Sequence, residues 1–143
     1  MILIIGIPNA GKTTYSMQYE NVVHLDNFTG GKYKKCIATA SNLDNACVEG
    51  VFHQRSQRER LLEAVKEKGE RNICIWLDTP IEECLRRERE SRKRPDMITL
   101  NLFSSFQPPT LDEGWDEIQI IKWQPEGEST VTVLHKEVQK CQL

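Results

Sequence analysis

The stretch Gly6-Ile7-Pro8-Asn9-Ala10-Gly11-Lys12-Thr13 follows directly on the apolar run Met1 to Ile5 and matches the pattern G-x-x-x-x-G-K-(S/T). The pattern describes a phosphate cradle. Gly6 and Gly11 let the backbone bend tightly and turn its N–H groups inward, Lys12 places a point charge at the β- and γ-phosphates, and the Thr13 hydroxyl can ligate Mg²⁺. A helix expected from Thr13 to Glu20 would add its positive end to the same spot. Asn9, Ala10 and Thr14 complete the candidate set for the phosphates of a bound nucleotide. A Gly-rich turn before a helix is the plainer reading, but the order of apolar strand, loop and helix is the context the motif requires.

The rest of the chain limits what can surround this loop. At 143 residues it has the length of one domain, so any activity has to fit in one fold. A net charge of −2 and a pI near 6.0 argue against nonspecific coating of nucleic acid, which relies on many uncompensated cations. The five cysteines, Cys36, Cys47, Cys74, Cys84 and Cys141, are odd in number and lack C-x-x-C spacing. They read as reduced thiols. No basic leader or bilayer-length apolar run is present, which predicts a cytoplasmic protein with no membrane partner.

Short apolar runs alternate with helical patterns, which predicts an α/β fold with a parallel sheet between helices. Five strands are expected: Met1 to Ile5, Asn21 to Leu25, Ala46 to Glu49, Asn72 to Leu77 and Glu117 to Lys122. Val131 to His135 is a candidate sixth at an edge, and the tail from about 124 to 143 is otherwise polar. The expected strand order is 2-3-1-4-5. Open sheets of this kind bind ligands at the C-terminal ends of their strands, so Asp26 and Glu49, which end the second and third strands, should flank the cradle.

Asp26 can orient an acceptor hydroxyl and take its proton, although Asp26-Asn27 before Gly30-Gly31 is also good turn chemistry. Glu49 is a candidate for holding Mg²⁺ with Thr13, or for touching the acceptor, against the plainer reading of a surface carboxylate before Gly50. Arg55 and Arg58 lie three apart on the helix expected up to about Lys68; a solvated face balanced by Glu59, Glu63 and Glu67 is the plainer reading, and contact with acceptor phosphates is the weaker one. Thr79-Pro80-Ile81-Glu82 reads as a helix start with Thr79 as N-cap, leaving Asp78 as scaffold. From Arg86 to Arg94, six cations face two carboxylates, a local charge of +4. On a continuous helix ending at Pro95, Leu85, Arg89 and Arg92 share one face. Such a segment can form a lid over a donor nucleotide, spanning about residues 84 to 106, or a charged exposed helix.

The cradle, the Asp26-Asn27 pair, the Arg-rich segment and above all Phe106-Gln107-Pro108-Pro109-Thr110-Leu111-Asp112-Glu113-Gly114-Trp115 before Ile118 together resemble the polynucleotide 5′-hydroxyl kinase family. The resemblance covers about residues 1 to 121. It implies a P-loop kinase fold, ATP and Mg²⁺ as cofactors, and a nucleic-acid 5′ end as acceptor. It further implies Lys12 and Thr13 on the donor, Asp26 as general base, and Arg92 or Arg94 as the lid arginine. Two departures stand out: Leu25 precedes the base where the family often has Arg, and Glu49-Gly50-Val51-Phe52 replaces an Asp-Asn-Thr-like stretch. No D-x-D-G-(T/V) phosphatase motif occurs. The Phe106–Trp115 stretch also has a structural reading, a Pro-Pro loop carrying aromatics into the core. A small-molecule kinase and a non-catalytic nucleotide-binding protein are the alternatives, and an oligomer is left open.

Overall fold

In the computed structural model, which describes residues 1–136, one sheet of six strands runs in the order β2-β3-β1-β4-β5-β6. The strands are β1 (Ile2–Ile5), β2 (Val23–His24), β3 (Cys47–Gly50), β4 (Ile73–Asp78), β5 (Glu117–Lys122) and β6 (Thr130–His135). The first five are parallel, as expected, and β6 adds an antiparallel edge with Glu117 opposite His135 and Lys122 opposite Thr130. Helices α1 (Lys12–Ser16), α2 (Lys32–Ser41), α3 (Arg55–Val65), α4 (Ile81–Ser91) and α5 (Asp96–Ser104) complete the frame.

The central strands are apolar up to their C-terminal ends because both faces are covered. Leu3, Ile5, Val48 and Cys74 pack on one side with Phe52, Leu61, Leu62 and Trp115. Ile4, Ile75 and Leu77 pack on the other with Ile7, Ala10 and Cys84. This alternation along β1 and β4 fixes the register and so the height at which the loop after β1 emerges. The four described cysteines are free and buried. Burial pushes Cys36 up to about 12 and Cys47 and Cys84 up to about 11, so none is a ready nucleophile. Cys141 lies outside the described residues. Among those described, no helix is long and apolar enough to cross a membrane.

Local expectations fail at three element ends. Helix α1 stops at Ser16 rather than Glu20, with the Ser16 hydroxyl donating to the Thr13 carbonyl at 2.7 Å. The second strand shrinks to Val23–His24, and Leu25–Asn27 forms a 3-10 turn. Thr79 does not cap α4; Pro80 holds that position. The Thr79 hydroxyl instead donates to the Ala10 carbonyl at 2.8 Å, tying the end of β4 to the loop after β1. Thr79→Val keeps the shape but leaves that buried carbonyl unpaired, and thermal or urea unfolding should register a loss of about 1–2 kcal/mol.

The Pro-Pro segment is a structural clamp. Thr110 and Glu113 form a capping box. The Glu113 carboxylate accepts Arg58 Nε at 2.8 Å and Nη2 at 2.9 Å, and Trp115 Nε1 at 3.1 Å. Arg58 Nη1 donates to the Phe52 carbonyl at 2.8 Å. Phe106 stacks on Trp76 with ring centroids 5.5 Å apart. Arg58 is fully buried, which corrects its reading as an acceptor contact: a buried guanidinium requires such a partner and cannot also reach a ligand.

Candidate active site

Between β1 and α1, residues 6–11 turn tightly back on themselves. Gly11 takes φ 104° and Asn9 φ 66°, both in the left-handed region that disfavours most side chains. At Gly6 the constraint is space, since a Cβ would lie 2.9 Å from the Ala10 Cβ and 3.2 Å from the Leu77 carbonyl oxygen. Lys12 is buried beneath the loop, and its Nζ donates to the Ile7 carbonyl at 2.9 Å. Burial lowers the Lys12 ammonium to about 8.

That value sets a pH dependence. A phosphate ligand favours the charged lysine, so nucleotide affinity should be level below about pH 8 and weaken above it, by up to about tenfold per pH unit. Calorimetric titration with ATP in two buffers of different ionisation enthalpy should show proton uptake between about pH 8 and 9 and little at pH 6.5.

The loop opens into a cleft of about 450 Å³ whose lining includes Asn9, Gly11, Lys12, Thr13, Thr14, Asp26, Glu49 and Arg94. Residues that follow the first to the fourth strand thus meet at one edge of the sheet, with Pro8, Lys32, Val51, Arg87, Lys93, Ile98 and Leu102 completing the wall. Asp26 sits in the 3-10 turn after β2 with its carboxylate largely exposed and Lys32 Nζ 3.9 Å away. Glu49, buried at the end of β3, has one oxygen 2.8 Å from Nδ1 of His24, its register neighbour on β2. The donor set fits Mg²⁺: Thr13, Asp26 and Glu49 offer hard oxygens on one cleft, and this ion characteristically takes one or two carboxylates and completes its shell with water and phosphate.

The arginine-rich segment differs from the expected continuous helix. Helix α4 ends at Ser91, and Arg92 takes a left-handed φ of 51°, so Arg92 does not share a face with Leu85 and Arg89. Pro95 does not terminate α4 but N-caps α5. Arg94, not Arg92, lines the cleft. Most of the local charge is consumed internally: Arg86 pairs with Glu83 and Glu90, Arg87 with Glu83, Arg89 with Asp96 and Arg94 with Glu88. Among the described residues only Arg92 and Lys93 of this segment lack an ion pair. Arg55 pairs with Glu59 and Asp112 and borders a separate depression with Gln54 and Gln107, which corrects its placement at the acceptor.

Arg87 is legible in the sequence only as one cation of the 86–94 segment, and nothing in the sequence marks His24 or Lys32. Arg87 Nη1 donates to the Asn9 carbonyl at 2.8 Å, its Nε holds Glu83 at 2.9 Å, and its guanidinium lies 5.6 Å from the Trp123 ring centroid. Arg87 and Trp123 border a second cavity of about 240 Å³ beside Thr14, Tyr15 and Ile121. The i, i+4 spacing of Glu83 and Arg87 was readable; the contact with Asn9 was not. A separate depression of about 700 Å³ along α3 near Gly114 shares no residue with the loop.

No family model matches this chain. Among characterised proteins, it is similar to the L-seryl-tRNA(Sec) kinase of Methanococcus maripaludis, 24% identical over 142 residues, covering 81% of this chain. The chain spans 56% of that relative's length. Among solved structures, Kti12 of Chaetomium thermophilum in complex with ADP-AlF3 superposes with a TM-score of 0.66 at 13% identity, over 87% of this chain and 90% of that one. The APS kinase CysC of Mycobacterium tuberculosis, in complex with AMPPNP and APS, gives 0.64 at 18% identity, over 89% and 88%. A gluconokinase of Sinorhizobium meliloti 1021 gives 0.61 at 14% identity, over 87% and 83%. At these identities the likeness is one of architecture: the chain has the P-loop kinase fold.

Proposed function

We propose that the chain is an ATP- and Mg²⁺-dependent kinase that phosphorylates a hydroxyl carried by a nucleic acid, with a polynucleotide 5′-OH as the acceptor. The observation that carries this reading is that Lys12, Thr13, Asp26, Glu49 and Arg94 line one cleft. Loop N–H groups and Lys12 would hold the donor phosphates, and the cavity bordered by Arg87 and Trp123 would take the donor base. Thr13 and Glu49 would hold Mg²⁺, which would supply neutralisation of phosphate charge. The Asp26 carboxylate accepts the acceptor's proton as its oxygen bonds to the γ-phosphorus, and the bond from that phosphorus to the bridging oxygen breaks, releasing ADP. Arg94 stabilises charge on the transferring group. A characterised relative named for a tRNA-borne acceptor supports the nucleic-acid side of this reading.

A second reading, a small-molecule acceptor, is favoured by one observation: among the described residues the cations of the 86–94 segment are paired internally, leaving Arg92 and Lys93. Salt dependence separates the two. For a single-stranded acceptor touched by these two side chains, log KM should rise against log salt with a slope of roughly 1 to 2. A flat series, with equal turnover on a free nucleoside, assigns a small molecule instead.

A further inference from the structure

Glu88 has no role in the chemistry above, yet it is almost fully buried, at 1% exposure. On the last turn of α4, its carboxylate accepts the Ser91 hydroxyl at 3.1 Å, the Lys93 backbone N–H at 3.3 Å and Arg94 Nη1 at 2.7 Å. Two of these donors lie beyond the helix end, past the left-handed turn at Arg92. One carboxylate therefore closes the chain from 88 to 94 into a loop and fixes the side chain that ends it. Burial alone would raise the Glu88 carboxyl, but the Ser91 hydroxyl and the Arg94 guanidinium outweigh it and hold the group below its usual range. The Asn9 side chain, from the tip of the phosphate loop, faces the same carboxylate, and its Nδ2 is buried without a hydrogen-bond partner among the described residues. Phosphate loop and lid thus converge on Glu88.

Arg94 has a planar fork of donors. Only Nη1 is engaged among the described residues, and the side chain lines the cleft. We propose that Glu88 is a positioning residue: by gripping one nitrogen of Arg94 it aims the remaining donors of the fork at the phosphoryl group in transfer. The proposal rests on the reading of Arg94 given above. It assigns Glu88 no proton transfer and no contact with substrate. A guanidinium fixed in advance costs no reorganisation as charge develops, so its anchor should matter more in the transition state than in ground-state nucleotide binding.

The test uses the full chain with ATP and a single-stranded 5′-OH oligonucleotide, plus the affinities for ADP alone and for ADP with aluminium fluoride. Glu88→Gln should lower kcat by about tenfold or more, with KM for ATP and affinity for ADP changed less than threefold. Affinity for ADP with aluminium fluoride should fall by the same factor as kcat. Combined with Arg94→Ala, Glu88→Gln should cost nothing further, because both act through one contact. Parent kcat in Glu88→Gln, or a parallel loss of ADP affinity, would overturn the proposal. Should Glu88→Gln not fold, Arg92→Val is the second variant: a β-branched residue resists the left-handed turn, and the same selective loss is expected, while parent kcat overturns the proposal. Arg94→Ala tells the two layers apart. Parent kcat in that variant removes the role of Arg94 and with it that of Glu88, whereas a slow Arg94→Ala beside an unaffected Glu88→Gln removes only the latter.

Discussion

Lys12→Ala is expected to abolish measurable phosphoryl transfer while leaving a folded protein. The Lys12 ammonium is buried against the Ile7 carbonyl, 2.9 Å away, and burial holds it at about 8. The side chain therefore carries an unfavourable burial in the free protein that a phosphate ligand relieves. Removing it should cost little stability and about 4 kcal/mol or more of transition-state stabilisation, roughly a thousandfold in rate, since positioning and charge supply most of phosphoryl-transfer catalysis. Circular dichroism checks the fold and single-turnover kinetics check the rate. Near-normal activity in the folded variant would remove the phosphate loop from the mechanism.

Asp26→Asn should lower turnover by roughly 10² or more with little change in ATP affinity, because the amide keeps the size of the carboxylate but cannot accept a proton. The exposure of Asp26 and its distance of 3.9 Å from Lys32 leave the carboxylate free to meet an acceptor. Glu49 is the internal comparison. It is buried and already bonded to His24, an arrangement suited to holding a cation rather than receiving a proton. If Asp26→Asn instead abolished ATP binding with turnover per bound ATP unchanged, Asp26 would be a metal or structural residue and Glu49 the base.

The donor half of this site was legible because it is local. Gly6, Gly11, Lys12 and Thr13 form one continuous stretch whose spacing encodes the loop, and the apolar runs of β1, β3 and β4 read as strands because both faces are buried. Asp26 and Glu49 followed from the rule that ligands gather at strand ends. What escaped were the partners of individual side chains. Arg58 looked like a surface cation, but its partner Glu113 is 55 residues away. Thr79 had the spacing of a cap, but its hydroxyl goes to Ala10. The charge of the 86–94 segment looked available to a ligand, and short-range pairs with Glu83, Glu88, Glu90 and Asp96 consume most of it. The break at Arg92 left no mark ahead of Pro95, because the sequence names Glu88 without showing that three donors converge on it. Glu113 explains the Pro-Pro motif in the same way: its carboxylate is a core clamp rather than a ligand contact.

The measurement that tests the central claim most directly is phosphate transfer from γ-labelled ATP to single-stranded 5′-OH oligonucleotides, run beside free nucleosides and sugars, with Asp26→Asn as the control. The expected result is label on the 5′ ends of the oligonucleotides, dependent on Mg²⁺ and lost in the control. Label confined to a nucleoside or sugar would contradict a nucleic-acid acceptor, and bound ATP with no transfer to any acceptor would contradict a kinase.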